Sequence, residues 1–128
     1  MKRTILLDTH PMYSWEILKN RTNKQNIDSI VEHFKDKIKQ NPEAVFITVF
    51  DHYQHTQSLD GEILENILDA KNLIFCFGHT IKDIEILAFR PKSIAICETK
   101  DSFILEFLET PRPEVNAWIQ SWIKELKE

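Results

Sequence analysis

The chain has 128 residues, of which 42% are hydrophobic, and this length suits one domain whose core needs neither a disulfide nor a metal. Its 16 Lys and Arg against 20 Asp and Glu give a net charge of −4, which leaves no basic surface for the phosphates of a nucleic acid. We therefore predict a single domain over residues 1–128 that binds neither DNA nor RNA.

The apolar run near the N-terminus, residues 5–7, is far too short for a signal-peptide core or a membrane span. The two cysteines, Cys76 and Cys97, lie in apolar stretches, where a free cysteine behaves as a small buried hydrophobic residue. Structural disulfides are rare in the cytosol. We therefore predict a cytoplasmic protein with two free thiols and no contact with a membrane.

The first third of the chain predicts strands followed by a helix. A short apolar run at residues 4–7 is broken by His10-Pro11, and the alternation over residues 13–18 is typical of a half-buried strand. Asn26 is a good N-cap, and the helix that follows it ends near Pro42. The apolar stripe of this helix consists of Ile27, Ile30, Val31, Phe34 and Ile38.

The middle of the chain contains two apolar runs that read as strands. Residues 44–50 predict a central strand buried on both faces, and residues 73–77 predict a second buried strand that ends at Gly78. Glycine is rare in this chain, so Gly78 is expected to meet a need of the backbone. Between the strands we expect a loop or helical turn and then a short helix over residues 63–68 with Asp60 as its cap.

The last third predicts a hairpin and a helix. Residues 79–90 are ambiguous: we predict a loop for the first part, and the rest, which fits either a helix or a strand, stays open. Residues 93–97 and 102–108 predict two antiparallel strands joined by a short turn. A helix opens at Thr110-Pro111-Arg112-Pro113-Glu114, with an apolar stripe of Val115, Trp118, Ile119, Trp122, Ile123 and Leu126. The elements together predict an α+β two-layer sandwich, a mostly antiparallel sheet with helices packed on one face.

The order of these elements resembles a known family. A helix, a strand ending in Asp51-His52, a strand ending in Phe77-Gly78 and a hairpin from Pro91 to Leu108 resemble the small bacterial family called domain of unknown function 302, from about Tyr13 to Pro111. The resemblance implies an α+β domain that tends to form homodimers, and it implies no established activity. The chain has Gly78-His79-Thr80 where that family has Gly-Asn-Pro, and Arg90-Pro91 where it has Leu-Pro.

Four polar side chains follow the two buried strands directly. His52 and His55 are three residues apart, so on a helical turn they share one face, as two metal ligands require, whereas on a strand they point apart. Asp51 and His79 each follow an apolar strand. If the two strands lie side by side and release these groups at a common edge, three imidazoles and a carboxylate meet there, a ligand set suited to Zn, Fe or Cu.

Other roles for these residues remain open. Asp51 or His52 can simply hydrogen-bond the backbone at the end of the strand. His52 can also act as a general base oriented by a carboxylate such as Asp51. Cys76 and His79 form a weaker candidate pair, because a buried thiol is a poor nucleophile. Arg90 can bind an anionic ligand or pair with a surface carboxylate.

The sequence thus favours a homodimeric domain that binds a small ligand or a metal through Asp51, His52, His55, His79 and Arg90. The metal version places a divalent transition metal on His52, His55 and His79. The alternative is a small enzyme that uses a histidine as general base at the same site. A third class, a module that binds other proteins, predicts a large apolar patch and no cleft. The sequence has no phosphate loop or dinucleotide fingerprint, so it gives no support for a nucleotide cofactor.

Overall fold

A computed structural model describes residues 1–127 and shows, within them, six strands, three α-helices and two short 3-10 helices. The strands are β1 Lys2–Leu6, β2 His10–Leu18, β3 Ala44–Asp51, β4 Asp69–Phe77, β5 Lys92–Glu98 and β6 Ser102–Leu108. The helices are α1 Ile27–Gln40, α2 His52–Ser58 and α3 Pro113–Lys124, and the 3-10 helices span Lys19–Arg21 and Glu85–Phe89.

The strands form one sheet in the order β1-β2-β6-β5-β4-β3, and every neighbouring pair is antiparallel. Helix α1 connects β2 to β3, which lies at the far edge of the sheet. The buried apolar residues of α1 and α3 belong to one cluster with alternate residues of the strands. The predicted α+β sandwich, with an antiparallel sheet and helices packed against it, is confirmed.

The core lies between the sheet and these two helices. Its side chains are almost wholly removed from water, and that burial is the main stabilising contribution to the fold. The largest buried side chains are Phe34, Phe75, Phe103, Ile17, Ile30, Ile38, Leu73, Ile94, Ile96, Leu105, Ile119 and Ile123. The alternate residues of the strands point to the opposite face of the sheet, which we call the outer face.

Both long helices begin where the sequence predicts. The side chain of Asn26 accepts a hydrogen bond from the backbone N–H of Ser29 at 2.9 Å, and the backbone N–H of Asn26 donates to Oγ of Ser29. This capping box satisfies N–H groups that have no partner inside α1. In α3, Pro113 occupies the first turn. The buried side-chain amide of Asn116, within α3, accepts a hydrogen bond from the N–H of Thr110 at 2.9 Å and donates one to the C=O of Thr110 at 3.0 Å, which fixes the segment just before the helix.

Strand β3 is an edge strand, so the predicted central position of residues 44–50 is wrong. Val45 and Ile47 remain 66% and 50% exposed. A bulge at Ile47 interrupts the pairing between Phe46 and Thr48. An apolar run does not distinguish a strand covered on both faces from an edge strand whose second face is apolar and uncovered.

The predicted helix over residues 63–68 is also wrong. The helix of this region is α2, which starts directly after β3 because the Asp51 carboxylate accepts a bond from the N–H of Gln54 at 2.9 Å. Residues 59–68 are irregular, and β4 begins at Asp69, four residues before the predicted start at Leu73. The open segment at residues 79–90 is irregular apart from the second 3-10 helix.

Candidate functional site

The two strand ends that carry the predicted site lie at opposite ends of the sheet. Strands β3 and β4 are antiparallel neighbours, with Asp51 opposite Lys71 and Ala44 opposite Phe77. His52 therefore follows one end of this pair, and His79 follows the other. The expectation that they converge at a common edge is wrong, since the carboxyl ends of neighbouring strands meet only when the strands are parallel.

His52 and His55 do lie together. Both are on α2, with their ring centroids 6.0 Å apart, and both pack against the ring of Phe50, at 5.5 and 5.3 Å. Asp51 is occupied as the N-cap of α2. Across residues 1–127 the structure contains no group of three His, Cys, Asp or Glu side chains able to hold a metal ion, so the triad with His79 is not formed.

A chain of polar side chains fixes the orientation of His52. Nδ1 of His52 lies 3.1 Å from Oδ1 of Asn72, and Nδ2 of Asn72 donates to Oγ of Ser93 at 3.1 Å. Because the amide oxygen of Asn72 accepts, Nδ1 carries the hydrogen, and the neutral ring presents Nε2 as its basic nitrogen. The predicted partner Asp51 is not the group that orients this histidine.

His79 and Arg90 occupy the opposite end of β4. His79 is exposed, and its Nε2 lies 3.7 Å from a carboxylate oxygen of Glu43. The guanidinium of Arg90 lies over the ring of Phe77, with its Cζ 5.4 Å from the ring centroid, and donates to the carbonyl of Thr80 at 3.0 Å. Among the ion pairs of residues 1–127 none involves Arg90, so the surface-carboxylate pairing that the sequence suggested is not formed there.

Gly78 shows why this end of β4 requires glycine. Its φ of +91° lies in the region that L side chains rarely adopt, and an added Cβ would lie 2.6 Å from Nη2 of Arg90. The prediction that Gly78 serves backbone geometry is confirmed. The close approach also places the Arg90 side chain directly on the backbone, which explains its half-buried state.

The outer face of the sheet carries two cavities that sequence reasoning missed. The first, of about 570 Å³, lies over β5 and β6, between the β1–β2 turn and the end of the second 3-10 helix. The second, of about 490 Å³, lies between α2 and residues 62–67. Glu106 lines both cavities, and His52 lines the second. We call the two together the outer groove.

The floor of the outer groove is made of small and apolar side chains with one carboxylate among them. Ala95 lies opposite Glu106 in the β5–β6 pair, and Cys97 and Ile104 follow on the same face. Burial, assisted by the charge of Glu106, raises the pKa of the Cys97 thiol. Among the ion pairs of the described chain, none involves Glu106. The groove thus offers an apolar surface with an unpaired acceptor.

Lys92 is another polar residue in the lining of the first cavity. Its side chain points to the same side of β5 as Ile94 and Ile96, and the residue is only 8% exposed. Its Nζ donates to the carbonyl of Leu108 and lies 5.7 Å from the ring centroid of Phe107. Burial lowers the pKa of Lys92 to about 8. In the sequence, a lysine after a proline is typical of a solvent-exposed residue at the start of a strand. The one indication that Lys92 is buried was its spacing of two residues from Ile94, which places both side chains on the same face of the strand.

The fold and this groove define an α+β protein with a six-stranded antiparallel sheet and a concave outer face that carries two cavities. The chain belongs to the family of unknown function DUF6858, whose family model matches residues 1–128. The resemblance to domain of unknown function 302 is not confirmed by this match.

The other comparisons returned no relatives. Neither a curated protein nor a solved structure matches the chain. In residues 1–127, each helix is too short or too polar to cross a membrane.

Proposed function

We propose that this protein binds a small organic molecule in the outer groove. The observation that supports this most directly is the pair of cavities, about 570 and 490 Å³, that share Glu106. Sites for small molecules usually have volumes of roughly 300–1,000 Å³, with apolar walls and a few polar groups that orient the ligand. The outer groove has this composition, since a carboxylate and a hydrogen-bonded histidine lie among alanine, cysteine and isoleucine.

The polar groups favour a ligand with an apolar body and a cationic or hydrogen-bond-donating end. The Glu106 carboxylate accepts hydrogen bonds but does not donate them. Lys92 does not neutralise it, because no ion pair within residues 1–127 joins Lys92 to a carboxylate. An ammonium group on the ligand would supply the missing partner of Glu106, and charge-assisted hydrogen bonds are the stronger kind.

The test uses 2-phenylethylamine as the probe, with binding followed by titration calorimetry and by backbone NMR shifts. We expect the shifts to cluster at Ala95, Cys97 and Glu106. Glu106→Gln should weaken binding about 10-fold or more, because a hydrogen bond to a charged group contributes about 1.5–3 kcal/mol. The matched control is Glu32→Gln on the solvent side of α1, which removes the same charge and should change affinity less than about twofold. Shifts outside the groove, or equal effects of the two variants, would refute the proposal.

A second candidate function is catalysis with His52 as general base, which we propose as the alternative. The hydrogen bond from Nδ1 to Asn72 supports it, because it leaves Nε2 as a basic nitrogen at the wall of the second cavity. Nitrogen-15 NMR of the imidazole reports the tautomer directly. We expect the Nδ1–H form in the native protein and a mixture of tautomers in Asn72→Ala, whereas a dominant Nε2–H form in the native protein would exclude this role.

We also propose that the protein is a homodimer, as the resemblance noted above implies. The support from the fold is edge strand β3, where the apolar side chains of Val45 and Ile47 are more exposed than that of Phe50, against which α2 packs. Apolar side chains on an edge strand are commonly covered by a partner. Sedimentation of Val45→Lys should show monomers at concentrations where the native chain is dimeric. Leu7→Lys, in the exposed β1–β2 turn, is the control and should leave the dimer intact. A native chain that is monomeric at every concentration would refute the dimer.

A further inference from the structure

Lys92 lies where strands β5 and β6 separate. Their paired residues run from Glu98–Phe103 to Ala95–Glu106, and the pairing stops there although β5 begins three residues earlier. Beyond that point the Lys92 ammonium donates to the carbonyl of Leu108. A side chain thus takes the place of the backbone ladder.

The direction of the Leu108 carbonyl places the ammonium in the plane of the sheet. The N–H of the next residue, Glu109, donates to the carbonyl of Pro11 at 2.9 Å and so faces β2. Backbone groups of successive residues face opposite sides along an antiparallel strand, so the carbonyl of Leu108 faces β5. Lys92 therefore reaches into the gap between the strands.

The first cavity of the outer groove reaches the same gap. Its lining includes Ala95, Glu106 and Leu108 from the outer face, and also Lys92 and Phe107, which alternate with them. Lys92 and Leu108 lie beyond the last paired residues of β5 and β6, and both line this cavity. A ligand in this cavity therefore lies against residue Lys92.

The amine is also in a reactive state. With a pKa of about 8, roughly a tenth of the Lys92 side chains carry an uncharged amine at neutral pH, far more than for an ordinary lysine. The uncharged amine is the nucleophile that attacks carbonyl compounds, and desolvation in an apolar site is one established means of activating a lysine for this chemistry. Within residues 1–127, no carboxylate pairs with Lys92 to hold the proton on it.

We propose that Lys92 binds aldehyde ligands of the outer groove covalently, as a reversible imine. This inference rests on the proposed function, which places a small molecule in the groove, and it names the chemical class. The lone pair of Nζ attacks the aldehyde carbon to form a C–N bond, and a proton shifts from nitrogen to the former carbonyl oxygen. Loss of water then gives the C=N bond, so one amine and one aldehyde yield one imine and one water. The reaction needs no oxidant or reductant.

The carbonyl of Leu108 has a role in this state. A protonated imine keeps one N–H, and the existing geometry directs such a group at the Leu108 oxygen. The hydrogen bond from the Lys92 ammonium to the Leu108 carbonyl is thus replaced, in the imine, by one from the imine N–H to the same oxygen. The phenyl ring of Phe107, beside Nζ, adds an apolar wall that keeps water from the C=N bond.

The test incubates the full chain with 3-phenylpropanal and sodium cyanoborohydride, which reduces the imine to a stable secondary amine that peptide mass mapping locates. We expect Lys92 to be labelled about tenfold or more faster than the other lysine side chains. Lys92→Arg should lose this label, while Lys39→Arg on the exposed side of α1 should keep it. In concentrated urea the preference of the native chain for Lys92 should disappear, and this measurement needs no variant that folds.

Each outcome decides one of the two proposals. Label spread evenly over the lysines, or an equal preference for Lys92 in urea, would overturn the imine. If 2-phenylethylamine binds in the groove while Lys92 stays unlabelled, the proposed function stands and the imine is refuted. If Lys92 is labelled selectively while Glu106→Gln leaves amine binding unchanged, the imine stands and the role of Glu106 is refuted.

Discussion

Replacing Lys92 by methionine should stabilise the protein at neutral pH. Methionine has a similar length and no charge, so it fills the space between β5 and Phe107 while removing the buried ammonium. Because no carboxylate in the described chain pairs with Lys92, the substitution leaves no opposite charge stranded in the interior. The one group that loses a partner is the Leu108 carbonyl, beside the cavity.

The size of the effect follows from the pKa. The value falls from 10.5 to about 8 in the folded chain, and since a tenfold change in an equilibrium constant is about 1.4 kcal/mol, burial of the ammonium costs about 3 kcal/mol. Below pH 8 the whole cost is present, because both states are protonated. Between pH 8 and 10.5 the unfolded chain binds more protons than the folded chain, so the unfolding free energy rises with pH.

The assay is urea unfolding of the native chain, Lys92→Met and the surface control Lys39→Met at several pH values from about 7 to 10.5. The advantage of Lys92→Met over the native chain should shrink by about 3 kcal/mol across that interval, because the native chain sheds its buried charge. Other titrating groups cancel in the difference. Lys39→Met should differ from the native chain by a constant amount. A constant difference for Lys92→Met as well would mean that the ammonium is solvated, and the reasoning from burial would be refuted.

Three further changes test other parts of the structure. Asn116→Ala should cost about 2–4 kcal/mol in urea unfolding, because both backbone groups of Thr110 lose their buried partner, and Asn116→Asp should not restore this stability, because it sets a buried carboxylate oxygen against the Thr110 carbonyl. Gly78→Ala should lower the unfolding free energy by about 1–2 kcal/mol because of its φ of +91°. Adding Arg90→Ala, which removes the side chain that an added Cβ would meet, should not restore this loss, because the strain is in the backbone. Burial lowers the pKa of His33 on α1, so the unfolding free energy should fall as pH drops below 6.5. In His33→Gln this fall should be shallower, and parallel curves for the two chains would show that His33 is not its source.

The elements that the sequence predicted well are those set by local chemistry. The start of α1 follows from Asn26, and the hairpin of β5 and β6 follows from two alternating runs with a short turn. The failures concern position in the sheet. Residues 44–50 have the composition of a central strand, yet they lie at the edge, because apolar content does not state which face is covered.

The prediction of the candidate site was wrong because the direction of neighbouring strands could not be read from the sequence. The expectation that His52 and His79 meet required parallel strands, but β3 and β4, which are joined by about seventeen residues that include the two-turn helix α2, pair antiparallel. The real groove is built from residues that carry no motif. Ala95, Cys97 and Glu106 come together through the register of β4, β5 and β6, and register depends on pairing across the whole sheet.

Lys92 marks the place where the sheet departs from the rules that its other strands follow. An apolar residue at this position would extend the pattern of Ile94 and Ile96, and it would avoid a cost of about 3 kcal/mol, a large share of the 5–15 kcal/mol by which domains are usually stable. Local rules broken without a nearby compensation are expected at functional sites. Here the break adjoins a cavity with an unpaired carboxylate in its floor, so a ligand that engages both groups would account for two unexplained polar residues at once.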